Sequence, residues 1–73
     1  MKSILIVEDD PLVRKTLASQ LAKKGFDIAV AETGEDGVRA FGETSPDLVL
    51  LDVRLPDMSG LDAYDRIRKI DAR

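Results

Sequence analysis

Short apolar runs alternate along this chain with apolar residues at helical spacing. Ile4-Leu5-Ile6-Val7 is a four-residue run rich in β-branched side chains, and Glu8-Asp9-Asp10 closes it abruptly. That pattern predicts a buried strand followed by an acidic loop. Pro11 suits the first position of a helix, with Asp10 as its N-cap. Leu12, Val13, Thr16, Leu17 and Leu21 recur at helical spacing, Lys23 and Lys24 complement the dipole of a last turn, and Gly25 suits a left-handed stop. A helix over Pro11–Lys24 is expected. Phe26–Ala31 alternates apolar with small or polar residues and predicts a second, less buried strand. Thr33 and Asp36 form a capping box with Asp in place of Glu, opening a helix through Val38, Ala40 and Phe41. Gly34, Gly37 and Gly42 make it the weakest of the helices, at up to ~1 kcal/mol for each interior Gly, and Pro46 ends it. Leu48–Val53 is the second fully apolar strand, interrupted only by Asp52. After a loop with Pro56, Ser59 and Asp62 cap a third helix. Its expected inward stripe is Leu61, Tyr64 or Ala63, Ile67 and Ile70.

The order β-α-β-α-β-α implies an α/β fold, a parallel sheet with right-handed crossovers and helices on both faces. The first and third strands are continuous apolar runs, so both are expected to be buried on two faces. The second reads as an edge. The expected spatial order is 2-1-3, with the first strand in the middle, where the chain reverses its winding direction. Ligands of such sheets bind beyond the carboxyl ends of the strands at that point.

Composition narrows the chemistry. The chain has 73 residues, 11 basic and 14 acidic, for a formal net charge of −3. Leu, Ile, Val and Phe make up roughly 30% of it, clear of the roughly 20% below which chains stay disordered. Its length allows one domain. Without Cys it has no disulfide framework, thiolate metal site or cysteine nucleophile. Without His, Ser-His-Asp chemistry and zinc hydrolysis are excluded. The apolar runs are far shorter than the ~20 residues that span a bilayer. Met1-Lys2-Ser3 leads directly into a strand, so no signal peptide is expected. An acidic balance with 4% aromatics argues against nucleic-acid binding by this segment. A soluble cytoplasmic protein without membrane attachment is the expectation. A chain this short buries only ~60% of its unfolded surface, so it needs very good packing or a partner.

Glu8 and Asp9 follow the first strand and Asp52 ends the third. In the 2-1-3 order these strands are neighbours, about 4.8 Å apart, so three carboxylates converge at the switch point. At close range they cannot all ionise without a counter-charge. A hard divalent cation such as Mg²⁺, which takes one or two carboxylates and keeps several waters, is the natural solution. The bland alternative is that each acid is a solvated loop residue.

Ile4-Leu5-Ile6-Val7-Glu8-Asp9-Asp10 and Leu50-Leu51-Asp52-Val53-Arg54-Leu55-Pro56-Asp57-Met58-Ser59-Gly60 resemble the receiver domains of bacterial two-component response regulators, of flavodoxin-like fold. The resemblance covers essentially the whole chain; Ala31-Glu32-Thr33-Gly34-Glu35 and Pro46-Asp47 share it. It implies that Asp52 is the phosphoacceptor and that Glu8 and Asp9 are the acidic pair. Asp9 would then be a direct Mg²⁺ ligand, Glu8 would act mostly through water, and the backbone carbonyl of Arg54 would be a further ligand. It also implies a histidine kinase as phosphodonor, which suits a chain without His. The chemistry agrees: an Asp carboxylate attacks a phosphoryl group to form an acyl phosphate, and Mg²⁺ offsets the charge. Pro56 and Gly60 read more simply as shaping the loop, Gly60 by permitting a tight turn. Arg54 is expected to be exposed by position, with two readings of its side chain: contact with an incoming phosphoryl group, or a solvated loop Arg.

A complete member of that family has five strand-helix units. Residues 1–73 supply three and are expected to form a single partial, truncated receiver domain. The family's Ser or Thr and its Lys, at the ends of later strands, have no counterpart: none of Lys2, Lys15, Lys23, Lys24 and Lys69 follows an apolar strand at its carboxyl end. Phosphotransfer is therefore expected to be impaired. Three readings compete: a phosphoacceptor module; a self-associating structural half-domain without phosphotransfer, forming a homodimer through the strand-3 edge or the sheet face; and a small Mg²⁺-dependent phosphohydrolase. The last is weakest, because aspartate-nucleophile phosphatases carry a second Asp two residues on, where this chain has Arg54.

Overall fold

A computed structural model describes residues 2–71. The sequence features at Met1, Ala72 and Arg73 lie outside the described residues. β1 (Ser3–Val7) lies between β2 (Asp27–Ala31) and β3 (Leu48–Leu51), parallel to both, in the order β2-β1-β3. Leu5 stands opposite Ala29 and Val49, and Val7 opposite Ala31 and Leu51. Because side chains alternate along a strand, these six share one face. Phe41 of α2 (Gly34–Thr44) and Ile67 of α3 (Gly60–Ile70) close over that face to make the core. Ile4 and Ile6 point the other way and are buried beneath α1 (Pro11–Lys23). The result is three layers, as the alternating pattern predicts. None of the described helices is long and apolar enough to cross a membrane.

The caps follow the sequence closely. Asp10 accepts from the amides of Leu12 and Val13, with Pro11 at N1. Thr33 and Ser59 each accept from the amide three residues on. Gly25 takes a left-handed φ of 94° beyond α1, and Ser45 ends α2 at φ 46°.

Burial departs from expectation in three places. Only β1 is buried on both faces. β3 lies at the sheet edge, as the order 2-1-3 implies, and it is the burial that differs: Leu48 is 51% exposed, because a strand of this composition is buried only when strands and helices flank it on both sides. Leu17 and Leu21 of α1 are only half-buried and Leu12 is exposed, so α1 covers the sheet without burying any residue of its own. On α3 the inward stripe is Gly60, Ala63 and Ile67, while Leu61, Tyr64 and Ile70 are exposed. Small residues line this contact because the first turn of α3 closely approaches the main chain just past β3, at Asp52 and Val53. α2 does the same at Gly37, where a Cβ would stand 2.8 Å from Val7 Cγ2. Glycine there weakens the isolated helix but lets it lie flush on β1.

Candidate functional site

Parallel pairing delivers the residues that follow β1 and β3 to one end of the sheet. Both remain tied to the ladder: the Asp52 amide donates to the Val7 carbonyl at 3.0 Å, and the Glu8 amide to the Ala31 carbonyl at 3.0 Å. Oxygens of Glu8, Asp9 and Asp52 then lie within 4.8 Å of one another. Glu8 and Asp52 are half-buried and Asp9 is exposed. Asp10, next in sequence, turns away to cap α1 through Oδ1, at 2.9 Å from the Leu12 amide. Its own amide donates to Glu8 Oε2 at 3.1 Å.

Electrostatics set the character of this cluster. The hydrogen bond from the Asp10 amide pulls the Glu8 carboxyl down. Partial burial, the Asp52 charge and hydrogen bonding with Asp52 and Asp9 outweigh it, so Glu8 stands above its ordinary value. A carboxyl raised in this way favours the fold at pH below its ordinary value, and that contribution is lost as pH rises through the raised one. The Asp52 charge thus works against ionisation of Glu8. A set of three oxygen donors with excess negative charge fits a hard divalent cation.

Arg54 lies two residues past Asp52, is exposed, and pairs with Ser59 across an isolated antiparallel bridge. The backbone bonds of that bridge run from the Leu55 amide to the Met58 carbonyl, 3.2 Å, and from the Gly60 amide to the Val53 carbonyl, 2.7 Å. None of them uses the Arg54 carbonyl. Gly60 has a firmer role than a permissive turn. A Cβ on it would stand 2.3 Å from the Asp52 carbonyl oxygen and 2.9 Å from Val53 Cα. The first turn of α3 thus backs directly onto the main chain of Asp52.

Two residues of the site escape a reading of the sequence. Arg14 donates to the carbonyls of Glu8 and Asp9. Asp57 reaches across to α2, accepting from the Gly34 amide at 2.8 Å and the Glu35 amide at 2.9 Å. The loop after β3 is thereby pinned to a helix N-terminus, where negative charge is favoured. The Glu35 and Gly34 amides hold the Asp57 carboxyl below its ordinary value. Its contribution to stability is present above the unfolded Asp value and is lost as pH falls through the lowered one. Asp57→Asn is therefore expected to lower the melting temperature at neutral pH, with the deficit shrinking in acid below the ordinary Asp range. Thermal unfolding of both proteins across that range checks this; a deficit that stays constant with pH would contradict it.

Residues 4–73 match the family described as the response regulator receiver domain. The chain belongs to that family. Over 71 residues this receiver sequence is 42% identical to the transcriptional regulatory protein AfsQ1 of Streptomyces coelicolor, covering 97% of this chain and 32% of AfsQ1. The response regulator TrrA of Thermotoga maritima, solved in complex with Mg²⁺-BeF, superposes with a TM-score of 0.92 at 40% identity over 99% of this chain and 63% of TrrA. The complex of TrrA with the histidine kinase ThkA gives a TM-score of 0.87 at 42% identity, over 94% of this chain and 60% of that one. The chain therefore spans about a third of the curated regulator and under two thirds of the solved receivers. The flavodoxin-like, 2-1-3 receiver architecture expected from the sequence is borne out. So is its membership of a two-component signalling family whose members are regulatory phosphoacceptors.

Proposed function

We propose that this receiver module accepts a phosphoryl group on Asp52, with Glu8, Asp9, Asp52 and the Arg54 carbonyl holding Mg²⁺. The observation that carries the reading is the convergence of three carboxylate oxygens within 4.8 Å at the ends of adjacent strands. Asp52 is the nucleophile: a carboxylate oxygen attacks phosphorus, the bond to the donor's leaving group breaks, and an acyl phosphate forms. No general base is needed, because an Asp carboxylate is ionised at neutral pH. When bound, Mg²⁺ offsets negative charge on the phosphoryl oxygens. Glu8 and Asp9 hold the cation beside the nucleophile, and the ladder bond of the Asp52 amide fixes where the nucleophile stands. The phosphodonor is a histidine kinase, in keeping with the ThkA complex of TrrA. The module works in the cytoplasm as a regulatory domain rather than an enzyme, and residues 1–73 form one partial receiver domain.

The metal half of this reading has a direct test. Mg²⁺ is expected to raise the melting temperature of the wild-type chain, and Asp9→Ala combined with Asp52→Ala is expected to remove that rise. An unchanged Mg²⁺ response in the double variant would sink the assignment.

A second reading is favoured by one observation. β3 is a free edge whose Leu48 is half exposed, with Val53, Leu61 and Tyr64 also exposed nearby in sequence. Such an edge is a template for pairing, and a two-fold homodimer through it or through the adjoining face is closed. Sedimentation at micromolar concentration is expected to show a dimer of the 73-residue chain. A monomer that unfolds cooperatively would show that the three-stranded unit is self-sufficient.

A further inference from the structure

α1 buries no residue completely, yet Arg14 keeps only 11% of its side chain exposed. Nη1 donates to the Glu8 carbonyl at 3.1 Å and the Asp9 carbonyl at 3.3 Å, and Nη2 meets Glu32 Oε1 at 3.0 Å. Glu32 itself is 67% exposed, and an ion pair with so exposed a partner is worth little. Pairing alone thus does not account for the placement. The two carbonyls are more telling, because they belong to the consecutive acids of the β1–α1 loop. A guanidinium presents several donors in a fixed plane and grips two neighbouring acceptors, whereas an ammonium is a point charge on a flexible stem. Among the described residues, no hydrogen bond of Arg14 is spent on a carboxylate of Glu8, Asp9 or Asp52. Arg14 leaves these carboxylates to other partners, while its cation sits behind the main chain of Glu8 and Asp9. Glu32 directly follows Ala31, whose carbonyl accepts the Glu8 amide, so Arg14 ties the acidic loop to β2 from a second direction.

We propose that Arg14 is the positioning residue of the acidic loop, gripping the Glu8 and Asp9 carbonyls against Glu32 so that both carboxylates face a divalent cation beside Asp52. The proposal rests on the reading that Glu8, Asp9 and Asp52 hold Mg²⁺. Outer-sphere partners of metal sites typically control affinity by about 10- to 100-fold. Arg14→Lys keeps the charge but not the two-carbonyl grip. Glu32→Gln keeps both carbonyl bonds and loosens only the outer anchor.

Calorimetric titration with MgCl₂, at a temperature where circular dichroism shows each protein folded, measures the effect. Arg14→Lys is expected to weaken Mg²⁺ binding by roughly tenfold, and Glu32→Gln by a smaller factor. In Mg²⁺-free buffer, exchange of the Glu8 and Asp10 amides is expected to quicken in Arg14→Lys. A purely structural Arg14 would lower the melting temperature and leave the Mg²⁺ affinity of the folded protein unchanged. Wild-type affinity in both variants would overturn the proposal. If Arg14→Lys does not fold, Arg14→Gln takes its place, and wild-type Mg²⁺ affinity in that variant overturns the proposal. Absence of saturable binding by the wild-type chain would overturn the underlying Mg²⁺ reading together with the proposal, and the wild-type titration tells that failure from the other.

Discussion

Gly60→Ala is expected to destabilise the receiver by about 3 kcal/mol, the upper part of the range for overpacking a close contact. The added methyl would stand 2.3 Å from the Asp52 carbonyl oxygen. Its neighbours there are main-chain atoms, which have no rotamer with which to step aside. For a chain of this length the total stability is on the order of 4–11 kcal/mol, so the loss is a quarter of it or more. Gly42→Ala makes the same chemical change in α2, where nothing lies within 4 Å of the added carbon. It is expected to be neutral or stabilising by up to ~1 kcal/mol. Urea denaturation of the two variants separates steric from conformational effects. If Gly60→Ala matched wild type, the main chain of Asp52 would have to yield freely, and the close packing of α3 behind Asp52 would carry no weight. Where Gly60→Ala remains folded, its Mg²⁺ affinity should also fall, because relieving the clash moves Asp52.

Asp52→Asn is expected to abolish phosphorylation altogether, since an amide is not a nucleophile toward phosphorus at neutral pH. In the wild-type 73-residue chain the reaction should be slow. No Lys in these residues follows a strand at its carboxyl end, and one preorganised contact to a transferring group is worth ~3 kcal/mol, or about two orders of magnitude in rate. A rate typical of complete receivers would mean that another chain supplies the missing groups.

What a sequence discloses depends on how far apart the cooperating residues lie. β1 is legible because its burial on both faces is written in four consecutive apolar residues. Asp10 and Pro11, Thr33 and Ser59 are legible because caps act over three residues. The acidic cluster follows from two strand ends once the order 2-1-3 is accepted. β3 misleads because Leu48–Leu51 has a central strand's composition, and its burial is a property of its neighbours. The outward placing of Leu61, Tyr64 and Ile70 is hidden for a related reason. Hydrophobic periodicity marks the larger side chains, while the contact itself is made by Gly60 and Ala63. Asp57 is opaque because its partners, Gly34 and Glu35, are 23 and 22 residues away. Arg14 looks like any helical cation until α1 is laid over the loop that precedes it.

Intact mass spectrometry after incubation with acetyl phosphate, with and without Mg²⁺, tests most directly whether Asp52 is the phosphoacceptor. The wild-type chain should gain the mass of one phosphoryl group only when Mg²⁺ is present, peptide mapping should put it on Asp52, and Asp52→Asn should gain nothing. An equal gain by Asp52→Asn, a phosphoryl group mapped to another side chain, or no gain by the wild-type chain after prolonged incubation would contradict the account.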